Sequence, residues 1–453
     1  MRTMVQAQPS LVYAPVEHKH ARELERISDV LDANPTVLTL VHEALVAAGG
    51  RPDKGRGTMT ADQVLRCLIY KQMHDLPYRD LAFQLCDSLT ARTFCRFGVG
   101  DKTPDRSVLQ RNIKSVSAEH LEAVNRALVQ HALESGIERG NKVRVDCTVT
   151  ETNIHAPTDS SLLFDCVRVL CRLAGRAREL SDVPLVWVNR TRNAKQLDIS
   201  IEYARKGVSR PDLYKKLIKI TRKVVTAAKE LAAQLMKALP KDLSARLRAE
   251  NLVKEIEYFS ELSERVMWQA ERRAVLGESV ESKEKIVSIF EPHTDIIKKD
   301  KRETCYGHKI CLTVGRSLVL DAVVEDGNPA DATLAVRMVS RLALVAGRVP
   351  NKIVFDGGFA SKANLEQIKA EGVEHVVFTK GKGITREEMT PSVSIYRLMR
   401  RFRAGVESAI SCLKRAYGLT RCAWRGAEGF ASYVWASVIA SNLLTMSRLM
   451  PTK

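Results

Sequence analysis

Lys142-Val143-Arg144-Val145-Asp146 alternates polar and apolar side chains, the period of a strand with one buried face, and it closes on a carboxylate. Upstream, from about His20 to Leu133, the pattern is helical. Thr60 is placed to cap a helix through Tyr70 with Val64, Leu65, Leu68 and Ile69 on one face, and Pro77 opens another carrying Leu81, Leu85 and Leu89. A further helix follows the Thr103-Pro104-Asp105 break, around Ser107 to Val116, and such short helices with tight turns suit a helix-turn-helix-like binding module. Downstream, Pro157 to about Ser282 returns to helix, with Leu217, Val224, Leu231 and Leu235 near helical spacing. Strands resume after Pro292: His308 to Val314 and Leu318 to Val324 read as a hairpin around Gly315-Arg316-Ser317. Lys352-Ile353-Val354-Phe355-Asp356 is a short apolar strand closed by Gly357-Gly358, and Val373 to Thr379 is another. Helices open at Pro329 and Ser361, and two more, Tyr396 to Tyr417 and Glu428 to Met450, finish the chain. Without the central helical block, this order is that of a three-layer α/β domain with hairpin strands at one side and parallel strands beyond.

Composition narrows the partners. Lys and Arg number 71 against 53 Asp and Glu, a formal charge of +18 over 453 residues, which points to a polyanion: nucleic acid first, an anionic membrane surface second. A hydrophobic content of 45% supports a sizeable core and excludes wholesale disorder. The first residues contain no apolar run of the secretory kind. The uncharged run from Gly429 to Ser447 is broken by Ser432, Ser437, Ser441, Asn442, Thr445 and Ser447, so it reads as a buried helix and not as a membrane span. Ten cysteines without a C-x-x-C pair read as reduced core thiols of an intracellular, cytoplasmic protein.

Asp146 and Asp356 each end a short apolar strand, and the carboxyl ends of strands in open α/β sheets are where ligands bind. Taken singly, each also suits turn chemistry. The third candidate is Glu407, on a helix whose stripe is Phe402, Val406, Ile410, Leu413 and Tyr417; Arg403, Glu407 and Lys414 lie beside that stripe. Between Tyr396 and Arg425 there are eight basic residues and one acid, so Glu407 either pairs with a neighbouring arginine or turns toward the sheet. Asp159, Asp165, Asp326 and Asp331 are rivals; Asp159 suits a helix cap and Asp331 a first helical turn. Of the four tryptophans, Trp424 beside Arg421 and Arg425 is the best candidate for stacking on a base. Three carboxylates suit Mg²⁺, which takes oxygen ligands and keeps waters, and two such ions about 3.5–4 Å apart serve an in-line displacement at phosphorus.

At these residues the chain resembles the DDE transposases of bacterial insertion sequences, closest to the ISNCY-type group. Arg403-x3-Glu407-x6-Lys414 is similar to most of the Y-x2-R-x3-E-x6-K signature of one branch, with Arg400 at the Tyr position and Tyr396 one turn earlier. Val145-Asp146-Cys147-Thr148 resembles the family's first-Asp segment and Val354-Phe355-Asp356-Gly357-Gly358-Phe359 its second. Tyr306-Gly307-His308-Lys309 resembles the start of its second strand, and Tyr78-Arg79-Asp80-Leu81 a motif of its helical N-terminal region. The resemblance implies an α/β, ribonuclease-H-like mixed sheet flanked by helices, with an all-α N-terminal domain and an all-α insertion between the first and second strands. The chain then divides into a flexible arm (1–19), an all-α DNA-binding domain (20–135), a catalytic domain (140–156 and 285–453) and a helical insertion (157–284). Asp146, Asp356 and Glu407 are expected as catalytic residues and ligands of two Mg²⁺ ions, with Mn²⁺ as a substitute, and Arg400, Arg403, Lys414, Arg415 and Arg421 as DNA contacts. The implied partners are double-stranded DNA (terminal inverted repeats and target) and a second copy of the chain in the synapsed homodimer, with no membrane. The implied activity is DNA cleavage and strand transfer; the competing expectations are a non-catalytic DNA-binding protein and a nuclease without strand transfer.

Overall fold

The computed structural model describes Met4 and residues 17–49, 59–181, 183–205, 207–299 and 303–450; most of the arm expected over 1–19 lies outside the described residues. The chain forms two compact units, residues 1–153 with 307–453, and residues 154–306.

Among the described residues the first unit begins with the helices α1 Lys19–Asp32, α2 Pro35–Ala47, α3 Ala61–Met73, α4 Tyr78–Asp87, α5 Leu89–Phe94, α6 Arg106–Lys114 and α7 Ala118–Glu134. Thr60 starts α3 with a capping box: its hydroxyl accepts from the Gln63 amide at 3.1 Å and the Gln63 side chain accepts from the Thr60 amide at 3.0 Å. Where the sequence marks one apolar face, α3 is buried from Ala61 to Gln72. Arg66 is wholly buried inside it, donating to Asp62 at 2.5 Å, Asp32 at 2.6 Å and Ser28 at 2.7 Å. Strand β1 then runs Lys142–Thr152.

The second unit is built on α8 (Asp159–Leu180), α9 (Thr191–Glu202), α10 (Arg210–Lys237) and α11 (Leu243–Ala270), followed by β2 (Asp295–Lys299). Its core contains the expected stripe of α10, Leu217, Val224, Leu231 and Leu235, against Leu163, Cys166 and Leu170 of α8 and Val266 of α11. The cap of α8 is Thr158, not Asp159; Asp159 sits one residue inside and accepts from Gln269 and Arg273, both at 2.8 Å.

The remaining strands are β3 (Glu303–Val314), β4 (Val319–Val324), β5 (Lys352–Phe355), β6 (His375–Phe378) and β7 (Arg421–Cys422). In the first unit the sheet runs β4-β3-β1-β5-β6, with β7 also on β1. β3 is antiparallel to β1 and β4, whereas β1, β5 and β6 are parallel. Gly307 faces Glu151 in the β1–β3 register, and a Cβ there would collide with the Thr150 carbonyl, so the strands close up only around glycine. Buried Glu138 accepts from the amides of Arg139 (2.8 Å) and Ser317 (2.9 Å), and thereby fastens the β3–β4 turn.

Pro329 does not open the next helix directly. A 3-10 turn, Asp331–Thr333, comes first because Lys309 donates to both the Pro329 carbonyl (2.6 Å) and the Asp331 carboxylate (3.0 Å); α12 starts at Ala335 and ends at Ala346. Helices α13 (Lys362–Ala370), α14 (Arg386–Met389), α15 (Val393–Ala416) and α16 (Ala427–Leu449) follow. α15 packs over β1, β5 and β6, while α7, α12 and α16 pack against β4. The polar residues of α16 find internal partners, Asn442 with the Val319 carbonyl at 2.7 Å and Asn125 at 2.9 Å, and Ser437 with the Tyr417 carbonyl at 2.9 Å. No described helix is long and apolar enough to cross a membrane. All ten cysteines are free.

Candidate active site

The parallel pairing of β1 with β5 sets Val145 beside Phe355, and so brings the next residues of the two strands, Asp146 and Asp356, to neighbouring positions. Asp146 does not end its strand as the alternation suggested. Cys147 to Glu151 continue β1 against β3, their alternating Thr and Val being well suited to a strand. The Asp146 carboxylate accepts from the Cys147 amide at 2.8 Å. Asp356 directly follows the last residue of β5, at the N-cap position of the 3-10 turn Gly357–Phe359, and its carboxylate accepts from the Thr379 hydroxyl at 3.0 Å. The two glycines after it admit close neighbours. A Cβ on Gly357 would lie 2.8 Å from Lys380 Cβ, and one on Gly358 would lie 2.6 Å from Asp331 Oδ2.

Glu407 comes from α15, whose buried positions include Val406 and Leu413 and whose Phe402 is half-buried. Two cations of β1 hold that helix. Arg144 donates to the Phe402 carbonyl at 2.9 Å, and the Phe402 ring lies 4.5 Å from the Arg144 guanidinium and 4.3 Å from the Lys142 ammonium. Gly405 makes this possible, since any side chain there would overlap the Arg144 guanidinium.

The three acids meet on one side chain. Arg403 Nη2 donates to Asp146 Oδ2 at 2.9 Å and lies 3.2 Å from Asp356 Oδ1, and Nη1 reaches Glu407 Oε1 at 2.5 Å, one turn along α15. The exposure rises outward, with side-chain values of 14% for Asp146, 42% for Asp356 and 67% for Glu407. Burial pushes the Asp146 carboxyl up to about 6; Arg403 pulls it down, and the nearby carboxylates of Asp356 and Asp331 push it further up. Asp331 and its partner Lys309 therefore adjoin the site. The sequence held their signals separately, Lys309 in the second-strand motif and Asp331 as a rival acid after Pro329.

The other expected residues are placed as follows. Arg400 lies over the Tyr396 ring at 5.7 Å, and Lys414 is half-buried, its carbonyl accepting from the Thr420 hydroxyl at 3.1 Å. Arg415 is exposed, and Arg421 pairs with Glu151 at 2.8 Å. Trp424 is no stacking platform; it is 3% exposed and packs edge-on to Tyr433 with Lys71 on its face. The rival acids Asp159 and Asp165 belong to the second unit, Asp165 pairing with Arg168 at 2.6 Å and His155 at 2.9 Å.

Among the described residues no group of three His, Cys, Asp or Glu is close-knit enough to hold a metal ion as they stand. In the cluster at Arg403 a guanidinium lies among the carboxylates. The donor set itself, carboxylate oxygens only, fits a hard divalent ion such as Mg²⁺ or Mn²⁺.

Residues 284–443 match the family model of a transposase DDE domain, and residues 13–115 match that of a transposase domain (DUF772). No curated protein and no solved structure matches the chain.

Proposed function

Matching transposase models in both its N-terminal and C-terminal parts, this chain belongs to the DDE transposases of insertion-sequence type, and from that premise we propose that it cuts DNA at the ends of a mobile element and joins them to target DNA. The observation that carries this is the meeting of Asp146, Asp356 and Glu407 around one arginine. In support, the strand order β4-β3-β1-β5-β6, antiparallel on one side of β1 and parallel on the other, is the order expected of a ribonuclease-H-like domain. The helices α1 to α7 precede it as the DNA-binding part is expected to do.

In this proposal Asp146, Asp356 and Glu407 would hold divalent ions such as Mg²⁺ through their carboxylate oxygens. When bound there, such ions would supply activation of the attacking oxygen and charge neutralisation at the phosphate. Asp146 has carboxylate form to offer at neutral pH, since its titration lies near 6. Thr379 and the Cys147 amide fix the two aspartates through the oxygen atoms they engage, which limits the rotation of each carboxylate. Arg400, Lys414, Arg415 and Arg421 hold DNA phosphates, with Arg403 beside them. Water attack frees a 3′-OH at the element's end, and that hydroxyl then attacks a target phosphodiester, displacing a 3′-oxygen in line. Synapsis of two ends calls for a second copy of the chain.

The test is cleavage of duplex carrying the element's terminal repeats. Asp146→Asn, Asp356→Asn and Glu407→Gln are each expected to abolish cutting while leaving DNA binding largely intact. Wild-type-like cutting by any of them removes that residue from the site. Joining of 3′-ends to a target plasmid separates transposase from nuclease, and binding without any Mg²⁺-dependent cutting favours a non-catalytic DNA-binding protein.

A further inference from the structure

We infer that Arg403 is a resident counter-cation: its guanidinium holds Asp146, Asp356 and Glu407 together in the metal-free protein and withdraws from among them when a divalent ion binds. This rests on the reading of those three acids as ion ligands and adds to it the residue that sets how tightly the ion is held.

Two like charges at adjacent strand positions repel, and a third on the overlying helix adds to this. A metal-free site of this kind needs a positive charge to keep its shape. Arg403 supplies it through the tips of its side chain, with one Nη toward both aspartates and the other toward Glu407. Among the described residues its buried Nε has no hydrogen-bond partner, and the polar contacts of its guanidinium are with these carboxylates. An arginine does not lose its proton in a protein, so it yields to another cation only by moving. The residue is only 18% exposed, but its i+4 neighbour Glu407 is 67% exposed, so the way out lies along the solvent side of α15. An ion that neutralises the acids removes what retains the arginine. The two cations are thus alternatives for one set of oxygens, and the occupancy of one opposes that of the other.

The experiment is a Mn²⁺ titration of the full-length protein without DNA, followed by electron paramagnetic resonance of free Mn²⁺, on wild type, Arg403→Gln, Arg403→Lys and Asp146→Asn. Arg403→Gln is expected to bind Mn²⁺ roughly tenfold or more tightly than wild type, the factor corresponding to one charge-assisted hydrogen bond no longer to be broken. Arg403→Lys, a point charge that cannot span three carboxylates, is expected to fall between them. Asp146→Asn is expected to lose the binding. If Arg403→Gln binds no more tightly than wild type while Asp146→Asn still loses the ion, the counter-cation is wrong and the carboxylates stand as ligands. If Asp146→Asn binds like wild type, the ligand reading fails and the inference fails with it. If Arg403→Gln unfolds without metal, refolding by Mn²⁺ but not by Na⁺ of equal ionic strength supports the inference, and unfolding indifferent to Mn²⁺ overturns it.

Discussion

Asp146 is pulled two ways: burial favours its neutral form, and Arg403 favours its charge. Burial prevails, and the folded group titrates near 6 against an ordinary 3.8. For a carboxyl raised on folding, the stabilisation is complete below the unfolded value, near pH 4, and is lost as pH climbs through 6. Asp146→Asn keeps the neutral form at every pH. The variant is therefore expected to be more stable than metal-free wild type at pH 8, by up to about 3 kcal/mol, and to lose that margin near pH 4. Urea unfolding of both proteins between pH 4 and 8 measures this; a difference that does not change with pH refutes it. Gly405 makes a second residue-scale point. Alanine gains about 1 kcal/mol of helix propensity there, but its Cβ overlaps the Arg144 guanidinium and dislodges it from the Phe402 carbonyl. Gly405→Ala is expected to destabilise by about 1–3 kcal/mol net, because overpacking and a lost charge-assisted hydrogen bond outweigh propensity. Calorimetric melting of the variant reads the sign, and a stabilised variant would show that Arg144 gives way freely. The sequence offered the three acids as candidates one by one, two from apolar strands read as closing on a carboxylate, of which β1 in fact runs on past Asp146, and one from a basic helix. Their common partner was not legible there, because the Arg403–Asp146 contact joins residues 257 positions apart and rests on how α15 lies across the sheet.

Elements with strong periodicity or caps were legible: α3 by its Thr60 cap, α10 by its leucine stripe, and the β3–β4 hairpin by its Gly315 turn. β7 has two residues and α14 four, too few for any period to show, and β2 is a short strand in the lysine-rich stretch Asp295–Lys299. Burial of α3 on every side was hidden for another reason. Its polar residues are satisfied by distant partners, as Gln72 is by the Tyr417 carbonyl at 2.7 Å and by Ser437 at 2.9 Å. Lys71 in its last turn is 5% exposed, and burial draws its ammonium down to about 8, with Asp75 pulling upward. A base lowered on folding gives its stabilisation above the unfolded value, 10.5, and loses it as pH falls through 8. At pH 7 the charge is present and buried, and the faces of Tyr78 (5.1 Å) and Trp424 (5.9 Å) offset only part of the loss. Lys71→Met fills the same space without charge. It is expected to be more stable than wild type at pH 7 by about 1–3 kcal/mol, the gap closing between pH 8 and 10.5. Guanidinium unfolding at pH 7 and 10 tests this, and a less stable variant at pH 7 would mean that the aromatic faces more than compensate.

At the scale of the whole chain, the sequence reads as changing period at Pro157 and again after Pro292, with a helical block between, and the second compact unit spans residues 154–306. Each compact unit has its own apolar core, one around the sheet and the first seven helices, the other among α8, α10 and α11. Asp146, Asp356, Arg403 and Glu407 all belong to the first unit. The break in that unit is narrow, because its chain leaves at Asn153 and returns at Gly307, and Glu151 and Gly307 are paired across β1 and β3. Two antiparallel strands with paired ends can be joined by a loop of two to five residues. Replacing residues 154–306 with a short Gly/Ser loop should therefore turn β1 and β3 into an ordinary hairpin. The shortened chain is expected to keep a mixed α/β circular dichroism spectrum and to unfold cooperatively, while residues 154–306 expressed alone are expected to give a helical, cooperatively melting fragment. A shortened chain that stays collapsed without a cooperative transition would show that the sheet depends on the inserted helices for its stability, and that the two cores are one folding unit.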